Sequence, residues 1–371
     1  MKILYIEPFY SGSHKQWIDS YKSYSKHSIE ILSLPGRYWK WRMHGAAITL
    51  AKRFIDKKTS YDIILVSDML NLPLFKSLCI NEIKNSKVVT YFHENQLLYS
   101  VAPKENEKQL DRDLHYAFIN YTSSLVSDLN LFNSEYHRSV YLEELDKYLN
   151  KKPEYKNKYT VEVIEKKSSV LHIGCDLKQF YSSENYHNEI PIILWNHRWE
   201  HDKNPELFFN TLIKLKKNNI KFNVVILGQK FTKIPDIFNK AKRDLNSEII
   251  HIGYCDSFDE YKNWLHKADI LPITSYQDFF GISIVEAVYC NTIPLLPNRL
   301  SYPEILDKKN YGEVFYNSDS DFYLKLFNLI ENYKNLRNSI SNYHKTVNRF
   351  DWQNMKNKYD QLFEQICNEN N

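Results

Sequence analysis

Ile190-Pro-Ile-Ile-Leu194, followed at once by Trp195-Asn-His-Arg-Trp-Glu-His-Asp-Lys-Asn-Pro205, is an apolar run that ends in a polar turn carrying Arg198 and Lys203. A helical pattern begins directly beyond it. A short apolar run with this flank is the building unit of a parallel sheet. In such sheets ligands settle beyond the carboxyl ends of the strands, where the amides of the next helix add positive potential. Two cations placed there suit a diphosphate.

Outward from this stretch the same unit repeats. Ile192–Leu194, Phe222–Leu227, Glu248–Ile252, Ile270–Ile273 and Thr292–Leu295 read as strands, with helical patterns near 204–217, 235–244, 257–267 and 281–290. The first half shows Ile3–Ile6, Ile29–Leu32, Ile63–Val66 and Val88–Tyr91, again with helix-length segments between most of them. This alternation predicts an α/β protein of two doubly wound domains facing a cleft. The expected bounds are 1–172 and 173–348, with a hinge near Ile173-Gly-Cys-Asp-Leu-Lys-Gln-Phe180. Residues 349–371 open at Arg349-Phe-Asp-Trp and are expected to form a helix that returns to the first domain.

The 371 residues suit two domains, and 43% hydrophobic content suffices for two cores. A net charge of +4 permits a polyanionic partner without demanding one. Cys79, Cys175, Cys255, Cys290 and Cys367 are an odd set without paired close spacing, which argues against a disulfide framework or a zinc knuckle. The first strand begins at once and is too short for a signal peptide. No apolar stretch nears the roughly 20 residues that span a bilayer. A cytoplasmic protein without membrane attachment is expected; its oligomeric state is not assigned.

Four further segments carry chemistry. Asp278-Phe-Phe-Gly-Ile-Ser-Ile-Val-Glu286 sets two carboxylates across a glycine able to open a helix. Glu286 falls in an apolar helix, where an ionised group is costly unless compensated. Ribose hydroxyls of a donor nucleotide would compensate it, and so would a buried partner such as Arg299. Glu7-Pro-Phe-Tyr-Ser-Gly-Ser-His14 places Gly12 in the first turn, open to a phosphate or sugar, with Ser13 or His14 as helix caps. His93-Glu94-Asn95-Gln96 follows a buried strand with four hydrogen-bonding side chains in succession. Arg37-Tyr-Trp-Lys-Trp-Arg42 reads as an aromatic-basic loop suited to stacking on bases while holding phosphates. Its alternative is a loop whose tryptophans cover the core. Lys147–Lys167, with seven lysines, is either a weaker RNA signal or a solvated connector.

Together these segments resemble the retaining GT-B glycosyltransferases. Glu7-Pro-Phe-Tyr, Gly12-Ser-His-Lys-Gln16, Leu34-Pro-Gly36 with Trp39-Lys-Trp-Arg42, Phe92-His-Glu-Asn-Gln96, Trp195–Pro205, Phe279-Phe-Gly281 and Pro297-Asn-Arg-Leu-Ser-Tyr-Pro-Glu304 resemble, more specifically, the tRNA-queuosine alpha-mannosyltransferase family. The similarity spans residues 2–305.

The resemblance implies the GT-B fold, GDP-mannose as donor, and as acceptor the cyclopentenediol of queuosine at the tRNA wobble position, with tRNA-Asp the first candidate. It implies catalytic roles for His93, Arg198, Lys203, Asp278 and Glu286. Gly12, Ser13, Gly228, Tyr254, Phe280, Gly281, Ile282 and Ser283 join the last four as donor contacts. His14, Arg37, Trp39, Lys40, Trp41, Arg42, Glu94, Asn95 and Gln96 form the acceptor set. Transfer with retention is implied, by same-face attack with the donor phosphate helping to take the acceptor proton.

With cations and helix amides around Gly281–Ser283 to stabilise the leaving diphosphate, no metal or other cofactor is required. No Asp-x-Asp triplet or His/Asp cluster appears in a plausible donor loop. Two residues depart from the family pattern: Ser11 stands beside Gly12 where a glycine is expected, and Asp278 where a glutamate is usual. A retaining transferase for another nucleotide sugar, or for a glycan or lipid acceptor, shares the donor features. A catalytically silent donor-binding protein is the remaining reading.

Overall fold

The computed structural model describes residues 1–98, 107–183, 186–228, 234–336 and 341–368. Strands Lys2–Tyr10 (β1), Ser28–Pro35 (β2), Ile63–Ser67 (β3), Lys87–Phe92 (β4), Leu129–Phe132 (β5) and Ser168–Val170 (β6) form one parallel sheet in the order β2-β1-β3-β4-β5-β6. Ile192–Asn196 (β7), Asn223–Leu227 (β8), Ile249–Ile252 (β9), Ile270–Pro272 (β10), Ile293–Pro297 (β11) and Phe315–Tyr316 (β12) form a second, in the order β12-β11-β10-β7-β8-β9. Both place a strand reversal near the middle of the sheet, where loops part to either side and leave room for a ligand.

The central strands are apolar on both faces because helices cover both. Every residue of β3 and of β7 is buried. β1 runs four residues beyond the expected Ile6, through Pro8. The pairing of β1 with β2 shifts register between Glu7 and Tyr10, which accommodates a residue that cannot donate to the ladder. This extension carries Glu7 into the sheet interior.

The chain divides into two units, Met1–Cys175 with Trp352–Asn371, and Asp176–Asp351. In the first, the helix Trp352–Asn368 lies on the helix Gly12–Tyr24 through a polar-aromatic seam. Trp17 Nε1 donates to the Tyr359 hydroxyl at 3.0 Å, and the Tyr21 hydroxyl and Ser25 Oγ donate to Asp360 Oδ1 at 2.9 and 2.6 Å. The Trp352 indole covers Gly174 so closely that any side chain there would enter the ring. In the second unit the core is aromatic, with Trp195, Trp199, Phe208, Phe209 and Phe238 buried together. Full burial of each large ring contributes on the order of 1.5–3 kcal/mol. Among the described residues no helix is long and apolar enough to cross a membrane.

Candidate functional site

In the second unit the turn after β7 is pinned by its own tryptophans. Trp195 Nε1 donates to the His197 carbonyl and Trp199 Nε1 to the Leu227 carbonyl, both at 3.0 Å, while the Trp199 ring stacks on Phe238 at 4.6 Å. Gly228, at φ +106°, faces the His197 carbonyl so closely that a Cβ would overlap it. Only glycine lets the ends of β7 and β8 meet there. The two expected phosphate cations sit differently on this frame. Arg198 has a half-exposed side chain and lies 3.1 Å from Glu200. Lys203 is buried, donates to the Gln277 carbonyl at 2.8 Å, and lies 3.3 Å from Asp202 and 3.7 Å from Asp278.

Asp278 also accepts from the Tyr302 hydroxyl at 3.3 Å. Gly281, at φ +98°, opens the helix Ile282–Tyr289, and Glu286 is buried within it. The Tyr261 hydroxyl donates to Glu286 Oε2 at 2.7 Å and accepts from Asn196 Nδ2 at 2.9 Å. Burial pushes the Glu286 carboxyl up to about 7, and the Tyr261 bond offsets this only in part. Arg299 donates instead to the carbonyls of Thr274 and Ser275 at 3.0–3.3 Å, so the alternative of a buried Arg299–Glu286 pair is not what this helix contains.

Ile282 and Ser283 are partly exposed in the first turn of the helix, and Tyr254 is exposed. Phe280 is buried edge-on against Phe350, and its carbonyl accepts from Ser301 Oγ at 2.9 Å. His251, Cys255 and Glu260 bring three metal-capable atoms within 4.8 Å of one another beside Tyr254. None of the three belongs to the predicted site.

In the first unit the polar cluster gathers around Glu7. Its carboxylate accepts from the Tyr5 hydroxyl at 2.7 Å, the Phe9 amide at 2.8 Å and Ser67 Oγ at 3.0 Å, and lies 2.9 Å from His14 Nδ1. Burial would raise the Glu7 carboxyl, but the His14 charge and these donors hold it below its usual range. Burial works against the His14 charge too, yet Glu7 lifts its imidazole to about 9. The His14 ring stacks on His93 at 4.1 Å. His93 is kept well below the usual imidazole range by burial, then by the charge on His14 and by His137. Its backbone amide donates to Asp68 Oδ1 at 2.9 Å, and burial pushes the Asp68 carboxyl upward.

His14 and Ser13 are not helix caps: both lie inside the helix Gly12–Tyr24, whose cap position is Ser11. Gly12 is open, with nothing near its missing Cβ. Glu94 accepts from Gln96 Nε2 at 3.3 Å, whereas Asn95 turns inward, its Oδ1 accepting from the amides of Leu97 and Leu98 at 3.1 Å. Ser11 packs against Gly36, where any side chain would collide with it, so Gly36 leaves room for the serine.

The aromatic-basic segment is not a loop beyond Tyr38. A left-handed Tyr38 (φ 58°) starts the helix Trp39–Lys57, and Trp39–Arg42 are its first turn. Trp39 packs on Tyr116 with Lys40 above both rings, whereas Trp41 is 66% exposed and lies along Gly45. Arg37 is exposed, and Arg42 Nε is buried without a partner among the described residues.

Sequence reasoning missed Glu7, Asp68, Asn196, Tyr261 and Tyr302 as site residues. Glu7 and Asp68 share one signal that could have found them, a carboxylate just after a wholly apolar strand stretch.

Comparison with known proteins bears on both units. Residues 2–175 match the family model described as tRNA-queuosine alpha-mannosyltransferase N-terminal, and residues 179–347 match glycosyl transferases group 1. Among solved structures, a sucrose-phosphate synthase from Thermosynechococcus elongatus superposes with a TM-score of 0.76 at 13% identity, covering 99% of both chains. The Anabaena HepE in complex with UDP gives 0.67 at 14% identity, over 98% of this chain and all of that one. At such identities these show the fold, two parallel-sheet units of the GT-B kind. A tRNA-queuosine alpha-mannosyltransferase of Drosophila melanogaster is 34% identical over 97% of this chain and 96% of its own. This chain belongs to the tRNA-queuosine alpha-mannosyltransferases, a family of glycosyltransferases.

Proposed function

We propose that this enzyme moves mannose from GDP-mannose to the cyclopentenediol of queuosine in the tRNA anticodon, with retention, without a metal, and in the cytoplasm. tRNA-Asp is the first acceptor to test. The observation that carries the donor half is the buried Lys203 ammonium 3.7 Å from Asp278, with the under-compensated Glu286 on the helix that follows. A nucleoside diphosphate sugar suits these groups: phosphate oxygens for the cation and hydroxyls for the carboxylates.

As the glycosidic bond breaks, charge accumulates on the leaving diphosphate, and a cation already in place stabilises it without reorganisation. Lys203 is held for this by the Gln277 carbonyl, and Arg198, half exposed and 3.1 Å from Glu200, would reach the diphosphate by giving up a solvent-screened pair. The amides of Ile284 and Val285 return to the Gly281 carbonyl, leaving those of Ile282 and Ser283 ahead of them as further donors. Glu286 accepts from ribose hydroxyls and Asp278 from those of the sugar. His93 receives a hydroxyl of the sugar or of the acceptor, and Trp41 with Arg37 and Lys40 meets the anticodon loop.

Asp278 in place of glutamate shortens the sugar contact by one methylene, which is why a second donor deserves a direct trial. Purified enzyme, queuosine-containing tRNA and either GDP-mannose or UDP-glucose are incubated with and without a strong chelator. Mannosyl transfer from GDP-mannose alone, undiminished by chelator, is expected. Preference for UDP-glucose would replace the donor, and loss with chelator rescued by magnesium or manganese would refute the metal-free mechanism.

A further inference from the structure

His93 is held less by hydrogen bonds than by rings. Its Nε2 is buried and has no partner among the described residues. Around it stand His14, stacked at 4.1 Å with the planes 29° apart, Trp17 edge-on at 4.8 Å, and Tyr91 tilted at 4.8 Å. The two large aromatics set walls. His14 is the face on which the His93 ring lies, and His14 is itself anchored, its Nδ1 2.9 Å from Glu7 Oε2. Glu7 in turn is fixed by the Tyr5 hydroxyl, the Phe9 amide and Ser67 Oγ, contacts that span β1 and β3. A carboxylate with this many donors has one orientation, and it passes that orientation on.

We propose that Glu7 and His14 are positioning residues for His93: the Glu7 carboxylate orients the His14 ring, and His14, stacked on His93, presents that imidazole to a hydroxyl of the substrates. The proposal rests on the reading of His93 as a substrate contact.

The charges around the pair agree with the geometry. Facing it are Glu7 from β1, Asp68 beyond β3, Glu94 beyond β4 and His137 from the helix Glu135–Asn150. Glu7 keeps His14 cationic up to about 9. A proton arriving on His93 would set two cations face to face in a buried space, so burial first and the His14 charge second keep His93 neutral. Burial pushes the Asp68 carboxyl upward, and the His14 charge opposes that rise. A neutral imidazole can donate through one nitrogen and accept through the other, which is what contact with a polyol requires.

Glu7→Gln keeps the side chain's shape and removes its charge. Its turnover is expected to fall about tenfold or more, with the Kd for GDP-mannose unchanged. The acid limb of its rate profile should move to higher pH, because a neutral His14 no longer discourages protonation of His93. Glu7→Asp restores the charge and should return that limb toward its original position.

Nitrogen-detected imidazole spectra of the unsubstituted protein at pH 7 test the same point without a variant: His14 doubly protonated, His93 neutral. A neutral His14, or a Glu7→Gln enzyme with full turnover and an unmoved acid limb beside a slow His93→Ala enzyme, overturns the positioning role alone. Full turnover in His93→Ala overturns the substrate-contact reading and the proposal together.

Discussion

Glu7 and Glu286 are both buried carboxylates, at 0% and 7% exposure, and the protein treats them in opposite ways. Glu7 has three hydrogen-bond donors and a histidine cation beside it, and its carboxyl is held below the usual range. Among the described residues Glu286 has one tyrosine hydroxyl, and its carboxyl rises to about 7. The Glu7 carboxylate is fully partnered without a ligand, so its charge serves structure and the orientation of neighbours. The second lacks compensation that a bound nucleotide sugar would bring. Buried charge alone does not mark a ligand site; uncompensated buried charge is the better sign.

The largest expected effect tests that contrast through stability. Glu7→Ala breaks a buried pair and should cost about 3–5 kcal/mol in denaturant unfolding. Glu286→Ala should cost far less, since little holds the charge there. Equal losses would erase the distinction. The pH dependence follows from the two shifts. The Glu7 contribution is present above its unfolded range near 4.5 and is lost as pH falls through its lowered folded value. That of His14 is complete below 6.5 and is lost as pH rises through about 9. The stability difference between the native protein and Glu7→Gln should therefore fade above pH 9.

Next in size is catalysis. Lys203→Ala and Arg198→Ala should each lower turnover on the order of a hundredfold. Arg198→Ala should leave the unfolding midpoint almost unmoved, since its side chain is half exposed. Near-normal turnover in both would remove the diphosphate assignment from this unit.

Smaller, and specific to Glu286, is a proton count. The native state holds a proton on Glu286 that the unfolded chain releases near 4.5, so this residue makes stability decline as pH rises from there to about 7. If donor hydroxyls favour the ionised form, binding at pH 7 should release about half a proton. Calorimetry in buffers of different ionisation enthalpy reads that number, and Glu286→Gln should abolish it. Proton uptake would mean that the ligand prefers the neutral acid.

The least costly changes separate two neighbouring tryptophans. Trp41→Ala should weaken tRNA binding by about 1–3 kcal/mol at every salt concentration while leaving stability unchanged. Trp39→Ala should lower stability through its contact with Tyr116. Replacing Arg37, Lys40 and Arg42 together should flatten the salt dependence of tRNA binding while donor binding persists.

The donor turn was legible because its information is local: an apolar strand, two tryptophans and two cations lie between Ile190 and Lys203. Glu286 was legible from one helix period. Tyr261 was not, because its hydroxyl matters only through Asn196 and Glu286, at separations of 65 and 25 residues. Ser67 and Glu7 are sixty residues apart and meet because β1 and β3 are sheet neighbours. β5, β6 and β12 escaped notice for want of length, and Asn130 breaks the apolar run of β5. The helix at Trp39 carries no side-chain cap, so its start left no mark in the sequence.

Sugar transfer to a queuosine nucleoside in tRNA can be tested directly. Two tRNA pools that differ only in queuosine content are incubated with the enzyme and GDP-mannose, then digested to nucleosides for mass analysis. A queuosine species heavier by one hexose is expected in the first pool and no modified nucleoside in the second. Equal transfer to both pools, or transfer only to a simple glycan or lipid acceptor, would contradict it.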